Sequence, residues 1–305
     1  MSVSAAMVRE LRDKTNAGMM DCKKALEETQ GNLEAAVEWL RKKGLASAAK
    51  KADRLASEGV VYAYQSGQTA TLVEINSETD FVAKNDIFKN FVQSFAETLN
   101  SSTLSDQMDQ ALALKSASGL SLEDSLKEAI SKIGENLVFR RFLRWSAPQG
   151  LIHHYVHGDG KIGVLAEFET SAPQSPEVKT LANDICLHIA AMSPIALSAD
   201  QVPSEVVTKE KEILRAKNLE QGKKPEMIEK ILDGQIKKFL AESCLLEQAF
   251  VKNPDIKVAG YIAEVSKKAG APVILKRYAR YELGEGLQKK VNNFAEEVAA
   301  QANLH

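Results

Sequence analysis

The sequence predicts an α+β protein. It should have an N-terminal three-helix module, a duplicated β-β-α-β core with two antiparallel sheets, an inserted antiparallel helical hairpin and a C-terminal helix. Three observations lead there. Apolar residues recur at helical spacing through residues 1–54 and switch to period two from Gly59. A strand–turn–strand pattern starting at Gly59 returns 91 positions later at Gly150. Two long runs with three- and four-residue apolar spacing flank the turn "GKKP".

The helical module comes first. Ser4 is placed to cap a helix through about Lys14, ended by "TNAG". A second helix is expected from about Asp21 to Thr29, and a third from Leu33 to Lys43 with Gly44 as the residue that ends it. Met7, Val8 and Leu11, then Ala25 and Leu26, then Leu33, Ala36, Val37 and Leu40 give each helix one face to bury. "ASAAKKADRLASEG" reads as a helical linker.

In the core, "GVVYAYQSGQTATLVEI" and "GLIHHYVHGDGKIGVLAEF" each read as a hairpin. A helix follows each, Ile87 to Leu99 in the first copy and Val178 to Met192 in the second. Each copy then makes a helical excursion and closes with a similar strand, "VFRRFLRW" or "ILKRYARY". In the second excursion Ser204 is placed to cap an arm carrying Val206, Val207, Ile213 and Leu214 on one side. The return arm carries Met227, Ile228, Ile231, Leu232, Ile236, Phe239 and Leu240. Beyond "YELGEG", Leu287, Val291, Phe294 and Val298 outline the last helix. The expected boundaries are therefore 1–54, 55–148, 149–202 with 241–280, 203–240, and 281–305.

Composition excludes several function classes. At 305 residues, 44% apolar and 26% charged, the chain has ordinary globular chemistry. A net charge of −2 gives the whole chain no electrostatic claim on nucleic acid or an anionic membrane. Apolar runs stay far short of the ~20 residues a membrane span needs. "MSVSAAMVRELRDK" has no apolar h-region, so no signal peptide is expected. Cys22, Cys186 and Cys244 are odd in number and far apart, which fits free thiols in a reducing cytoplasm.

Each motif has a structural reading beside its functional one. "GDGKIG" satisfies G-x-G-x-x-G, but a strand follows it where a dinucleotide site needs a helix, so it reads as a hairpin turn. On a strand, His153 and His157 lie about 13 Å apart at ~3.3 Å per residue, too far to hold one zinc ion. Strict alternation in "RRFLRW" puts Arg140, Phe142 and Arg144 on one face and Phe139, Arg141, Leu143 and Trp145 on the other. Neither face is a base-stacking platform. No nucleophile elbow or H-E-x-x-H occurs, so neither an enzyme, a cofactor nor a metal is expected. "NSETDFVAKND" is the odd stretch, because it puts Phe81 in a polar run between a strand and a helix. Phe81 is either a buried cap on that helix or a contact for something outside the chain. Met19 and Met20 pose the same choice between closing the small helical core and facing a partner.

"VRELRDKTNAGMMDCKKAL" and "ETDFVAKND", with "KIGEN", "HGDGKIGVL" and "YELGEGLQKKVNNFAEEVAA", resemble the signature stretches of the bacterial elongation factor Ts family, in that family's order. The helical hairpin and the lack of a transit peptide resemble the bacterial branch. The resemblance implies a cytoplasmic, non-enzymatic guanine-nucleotide exchange factor for elongation factor Tu. It makes Phe81 a wedge beside the nucleotide and magnesium site, with Thr79, Asp80 and Val82 around it. Arg12, Met19, Met20, Lys23 and Lys51 are the N-terminal contacts, and Ile133 and His157 are further ones. It also implies a homodimer through the hairpin, with no nucleic acid or membrane partner. The competing reading is an RNA-binding translation factor using the basic-aromatic strands.

Overall fold

In the computed structural model, residues 3–15 and 17–288 are described, as antiparallel sheets and helices of an α+β fold. The chain forms two compact units. One is built on Met1–Tyr62, Val73–Leu143 and the tail from Glu282, the other on Ala63–Leu72 and Arg144–Tyr281. The C-terminal helix expected after Gly286 falls on residues 289–305, outside the described residues.

The first unit opens with α1 (Ala5–Thr15), α2 (Met19–Glu28) and α3 (Leu33–Ala49). Ser4 Oγ accepts the Met7 N–H at 3.3 Å, and Asn32 Oδ1 accepts the Ala35 N–H at 3.0 Å. Leu11, Cys22, Ala25, Leu26 and Ala36 form the shared core. Gly44 does not end α3. The helix runs through it to Ala49, because a residue without a side chain lets α3 approach the helix that carries Ser131. A Cβ at Gly44 would lie 3.3 Å from Ser131.

Then come β1 (Glu58–Ser66), β2 (Thr69–Ser77), α4 (Asp80–Lys84), α5 (Asp86–Ser101), α6 (Met108–Ala113), α7 (Leu122–Ile133) and β3 (Leu137–Ser146), of which the β1–β2 turn, from Ala63 to Leu72, and the end of β3 from Arg144 belong to the second unit. The sheet order is β1-β2-β3. From α5, Phe88, Val92, Phe95 and Leu99 are buried, with the Phe95 ring 4.8 Å from that of Phe139. The alternation expected for β3 is not kept. Phe139 and Phe142 are both buried, and Arg140 and Arg141 both reach Glu74, at 2.8 and 2.6 Å. A fully buried carboxylate draws both guanidinium groups to one place.

The second unit holds β4 (Gly150–His157), β5 (Ile162–Thr170), α8 (Pro176–Met192), α9 (Ser204–Glu220), α10 (Pro225–Ser243), β6 (Ala249–Phe250), β7 (Asn253–Lys257), α11 (Val258–Ala269) and β8 (Val273–Glu282). Its sheet runs β4-β5-β8, with Gly150 opposite Glu169 and His157 opposite Ile162. Val164, Ala166 and Phe168 pack with Leu181, Ile185 and Ile189 of α8 and Ile262 and Val265 of α11. The β6–β7 ribbon and α11 have no counterpart in the sequence reading.

Two hairpin expectations change. Ser204 is the first residue of α9 rather than its cap, because Pro203 already occupies the cap position. The apolar side of α9 is not buried as a whole, for Val206 and Ile213 are exposed. Between the arms sits a buried Asn218, whose Nδ2 donates to Gln235 Oε1 at 2.8 Å, while α10 buries Ile228, Leu232 and Ile236.

Gly59 and Gly150 explain why the repeat is marked by glycine. A Cβ at Gly59 would collide with the Ile75 carbonyl, and one at Gly150 with the Phe168 carbonyl. Each hairpin therefore needs a bare backbone at the same place.

Candidate partner-docking site

The segment that follows β2 turns into α4 at Thr79, and Phe81 lies in the first turn of that short helix. Phe81 is 78% exposed, whereas Val82 beside it is only 7% exposed. The ring is therefore no buried cap. Val82 anchors the turn in the core, and Phe81 is presented to solvent. Asp80 reaches Lys84 one turn on at 3.7 Å, an exposed pair worth little in stability. Asn85 ends α4 and starts α5, its Oδ1 accepting the Ile87 N–H at 2.8 Å.

The segment around Thr79 is held from outside its own strand. Thr79 N–H and Oγ1 donate to the two carboxylate oxygens of Glu135, at 3.0 and 2.7 Å. Ser77 Oγ donates to the Thr79 carbonyl at 2.8 Å. In return, Glu78 accepts the Asn136 N–H at 2.6 Å. Asn136 is itself buried, and its Nδ2 donates to the carbonyls of Ala52 and Arg54 at 3.3 and 2.8 Å. Gly134, which ends α7 at φ +89°, turns Glu135 and Asn136 toward this place.

The N-terminal candidates share one small module. Met19 and Met20 begin α2 and are 53% and 73% exposed, which favours the outward reading over the core one. Arg12 is exposed on α1, and exposed Lys23 lies 3.8 Å from Glu27 on its own helix. Lys51 follows α3 and its Nζ donates to Ser47 Oγ at 3.0 Å. Ile133 is half-buried at the end of α7, one residue before Gly134.

His157 belongs to the second unit. It is exposed at the end of β4, where its Nδ1 lies 2.9 Å from the Tyr155 hydroxyl. The turn that follows it, between His157 and Ile162, has positive φ at Gly158, Asp159 and Gly160, a backbone region that glycine and aspartate enter more readily than most residues. Among the described residues, no group of three or more potential metal ligands forms around His153 and His154. His154 Nδ1 meets Gln65 Oε1 at 3.0 Å, and burial lowers the pKa of both rings.

Thr79, Asp80, Phe81 and Val82 stand out in the sequence, whereas Glu78, Glu135 and Asn136 do not stand out there as the groups that hold the turn. The signal available was a polar "GEN" directly after a helix, with a glycine suited to a left-handed turn.

Comparisons with known proteins agree with this arrangement of motifs. The family model described as Elongation factor TS matches residues 78–285. An Elongation factor Ts of Bdellovibrio bacteriovorus is 56% identical over 310 residues, with 100% of both chains covered. One of Syntrophotalea carbinolica is 49% identical over 98% of this chain and 99% of its own. One of Clostridium perfringens is 48% identical over 97% of this chain and 98% of its own. The chain belongs to the elongation factor Ts family of translation elongation factors.

Proposed function

We propose that the protein is a guanine-nucleotide exchange factor that binds elongation factor Tu in the cytoplasm and promotes GDP release by inserting Phe81 beside the nucleotide and magnesium site. The observation that carries this reading is an exposed aromatic ring on a turn already anchored by Val82 and Glu135. A group ordered before binding loses little entropy on insertion. A GTPase holds GDP through its magnesium ion and the backbone cradle around the phosphates. A factor that prefers the nucleotide-free form must weaken GDP binding by the same coupling free energy. No bond is made or broken by the factor itself, so no enzyme chemistry and no cofactor are called for.

Arg12, Met19, Met20, Lys23 and Lys51 would supply docking contacts from the helical module, with Ile133 and His157 adding others. Val82 acts as the anchor of the wedge and not as a contact. The modular division into 1–54, two core subdomains, the 203–240 hairpin and the tail from 281 is kept as a functional one, with the hairpin serving self-association. The RNA-binding alternative loses support from the basic strands. Arg140 and Arg141 are committed to Glu74, and Arg277 pairs with Glu167 while lying 4.2 Å from the Trp145 ring centre. The test is the rate of labelled GDP release from elongation factor Tu with and without this protein. Acceleration supports exchange, and an unchanged rate removes it.

A further inference from the structure

We infer that Glu135 is the positioning residue for Phe81, holding the turn in the attitude from which the ring inserts. This rests on the reading of Phe81 as a wedge. Thr79 stands at the cap position of α4, where a threonine hydroxyl ordinarily accepts a backbone N–H of the first turn. Here it makes no such bond, although its backbone is extended at φ −130° and ψ 156°. The hydroxyl and the N–H are both turned to Glu135 instead. With Ser77 Oγ on its carbonyl, every polar atom of Thr79 is held, and none of the bonds is internal to α4.

The consequence is mechanical. A five-residue helix has too few internal hydrogen bonds to define its own direction. Its direction is set by the residue before it, and that residue is set by a carboxylate 56 positions away. The grip is two-sided, because Glu78 takes the Asn136 N–H while Glu135 takes that of Thr79. Without Glu135, Val82 would still hold the turn to the core, but the direction of the ring two residues after Thr79 would no longer be fixed. A misdirected wedge lowers the rate of the step it drives more than it weakens docking, because docking uses other surfaces.

The test is a double-mutant cycle of Glu135→Ala and Phe81→Ala, with Glu135→Gln and Thr79→Val alongside. GDP release from elongation factor Tu is followed over a range of factor concentrations, and each variant is melted. Glu135→Ala should lower the maximal release rate about tenfold, with little change in the half-saturating concentration. It should have almost no further effect once Phe81 is alanine. Glu135→Gln should recover most of the rate, since its amide can accept the Thr79 N–H and donate to Oγ1. Thr79→Val, which loses only the hydroxyl, should fall between. A full maximal rate in Glu135→Ala overturns the inference, as do losses that simply multiply in the double variant. If Glu135→Ala does not fold, Thr79→Val decides, and a full rate there overturns it. A full rate in Phe81→Ala alone instead removes the wedge reading on which the inference stands.

Discussion

Glu74 lies in β2 with a fully buried carboxylate that accepts from Arg140, Arg141 and the Gly284 N–H, the last at 2.9 Å. Arg141 also pairs with Glu285 at 3.1 Å, so the carboxylate ties β2 and β3 to the start of the tail. Burial acts against its charge, but the Gly284 N–H and the two guanidinium groups outweigh it and hold the carboxyl below its ordinary range. A lowered carboxyl pKa gives stability that is present above the unfolded value and lost as pH falls through the folded one. Glu74→Gln should therefore cost about 3 kcal/mol at neutral pH and flatten the acid limb of the melting curve, which thermal melts from pH 7 down to 3 would check. His188 works in the same direction at higher pH. Its Nδ1 accepts the Val251 N–H at 3.2 Å and its Nε2 meets Gln248 Oε1 at 2.9 Å, an arrangement that requires the neutral ring. Burial lowers the pKa of His153, His154 and His188, so their stabilising effect is complete above the ordinary value of 6.5 and declines below it. The melting temperature should fall between pH 7.5 and 5.5, and less so in His188→Gln. An unchanged midpoint would contradict this.

At the scale of elements, the hairpin of α9 and α10 is stitched by its own bonds. Arg215 pairs with Glu229 at 2.7 Å, and Lys223 Nζ donates to Asn218 Oδ1 at 2.6 Å. Its base is different, since Val207 and Leu240 pack on Ala196, Val202 and Cys244. Excision should therefore spare that base. On the proposed reading, replacing residues 210–237 by a short glycine–serine link should leave a folded protein that keeps most of the proposed exchange activity and sediments as a monomer. Sedimentation of the shortened chain as a dimer would place self-association elsewhere. The hairpin was legible because two long apolar repeats and the "GKKP" turn between them are local signals. Ser204 was misplaced by one residue because the helix takes its first bonds from the Pro203 carbonyl, which the Val206 and Val207 N–H groups reach at 3.0 and 3.3 Å. Gly44 misled for a deeper reason. A glycine after a helical stretch reads as a stop, and only the approach of α7 explains why one lies inside α3.

Across the whole molecule, the duplicated hairpins, their glycines and their following helices could be read directly, because period-two alternation and turn chemistry act over a few residues. The exposed Phe81 could be singled out for the same reason, as an aromatic ring in a polar run. What holds it could not, because Thr79 and Glu135 meet only after α5, α6 and α7 have returned the chain to β2. The ribbon of β6 and β7 escaped because strands of two and five residues carry too little pattern to register. The central claim is that this exposed ring drives release of the partner's nucleotide without supporting the fold. The measurement that tests it most directly pairs the melt of Phe81→Ala with its rate of GDP release from elongation factor Tu. Truncating a central aromatic anchor costs ~2 kcal/mol or more, roughly thirtyfold in rate or affinity. The account predicts a melt within a degree or two of the parent and a release rate lower by about that factor. A normal melt together with a parental release rate would contradict it.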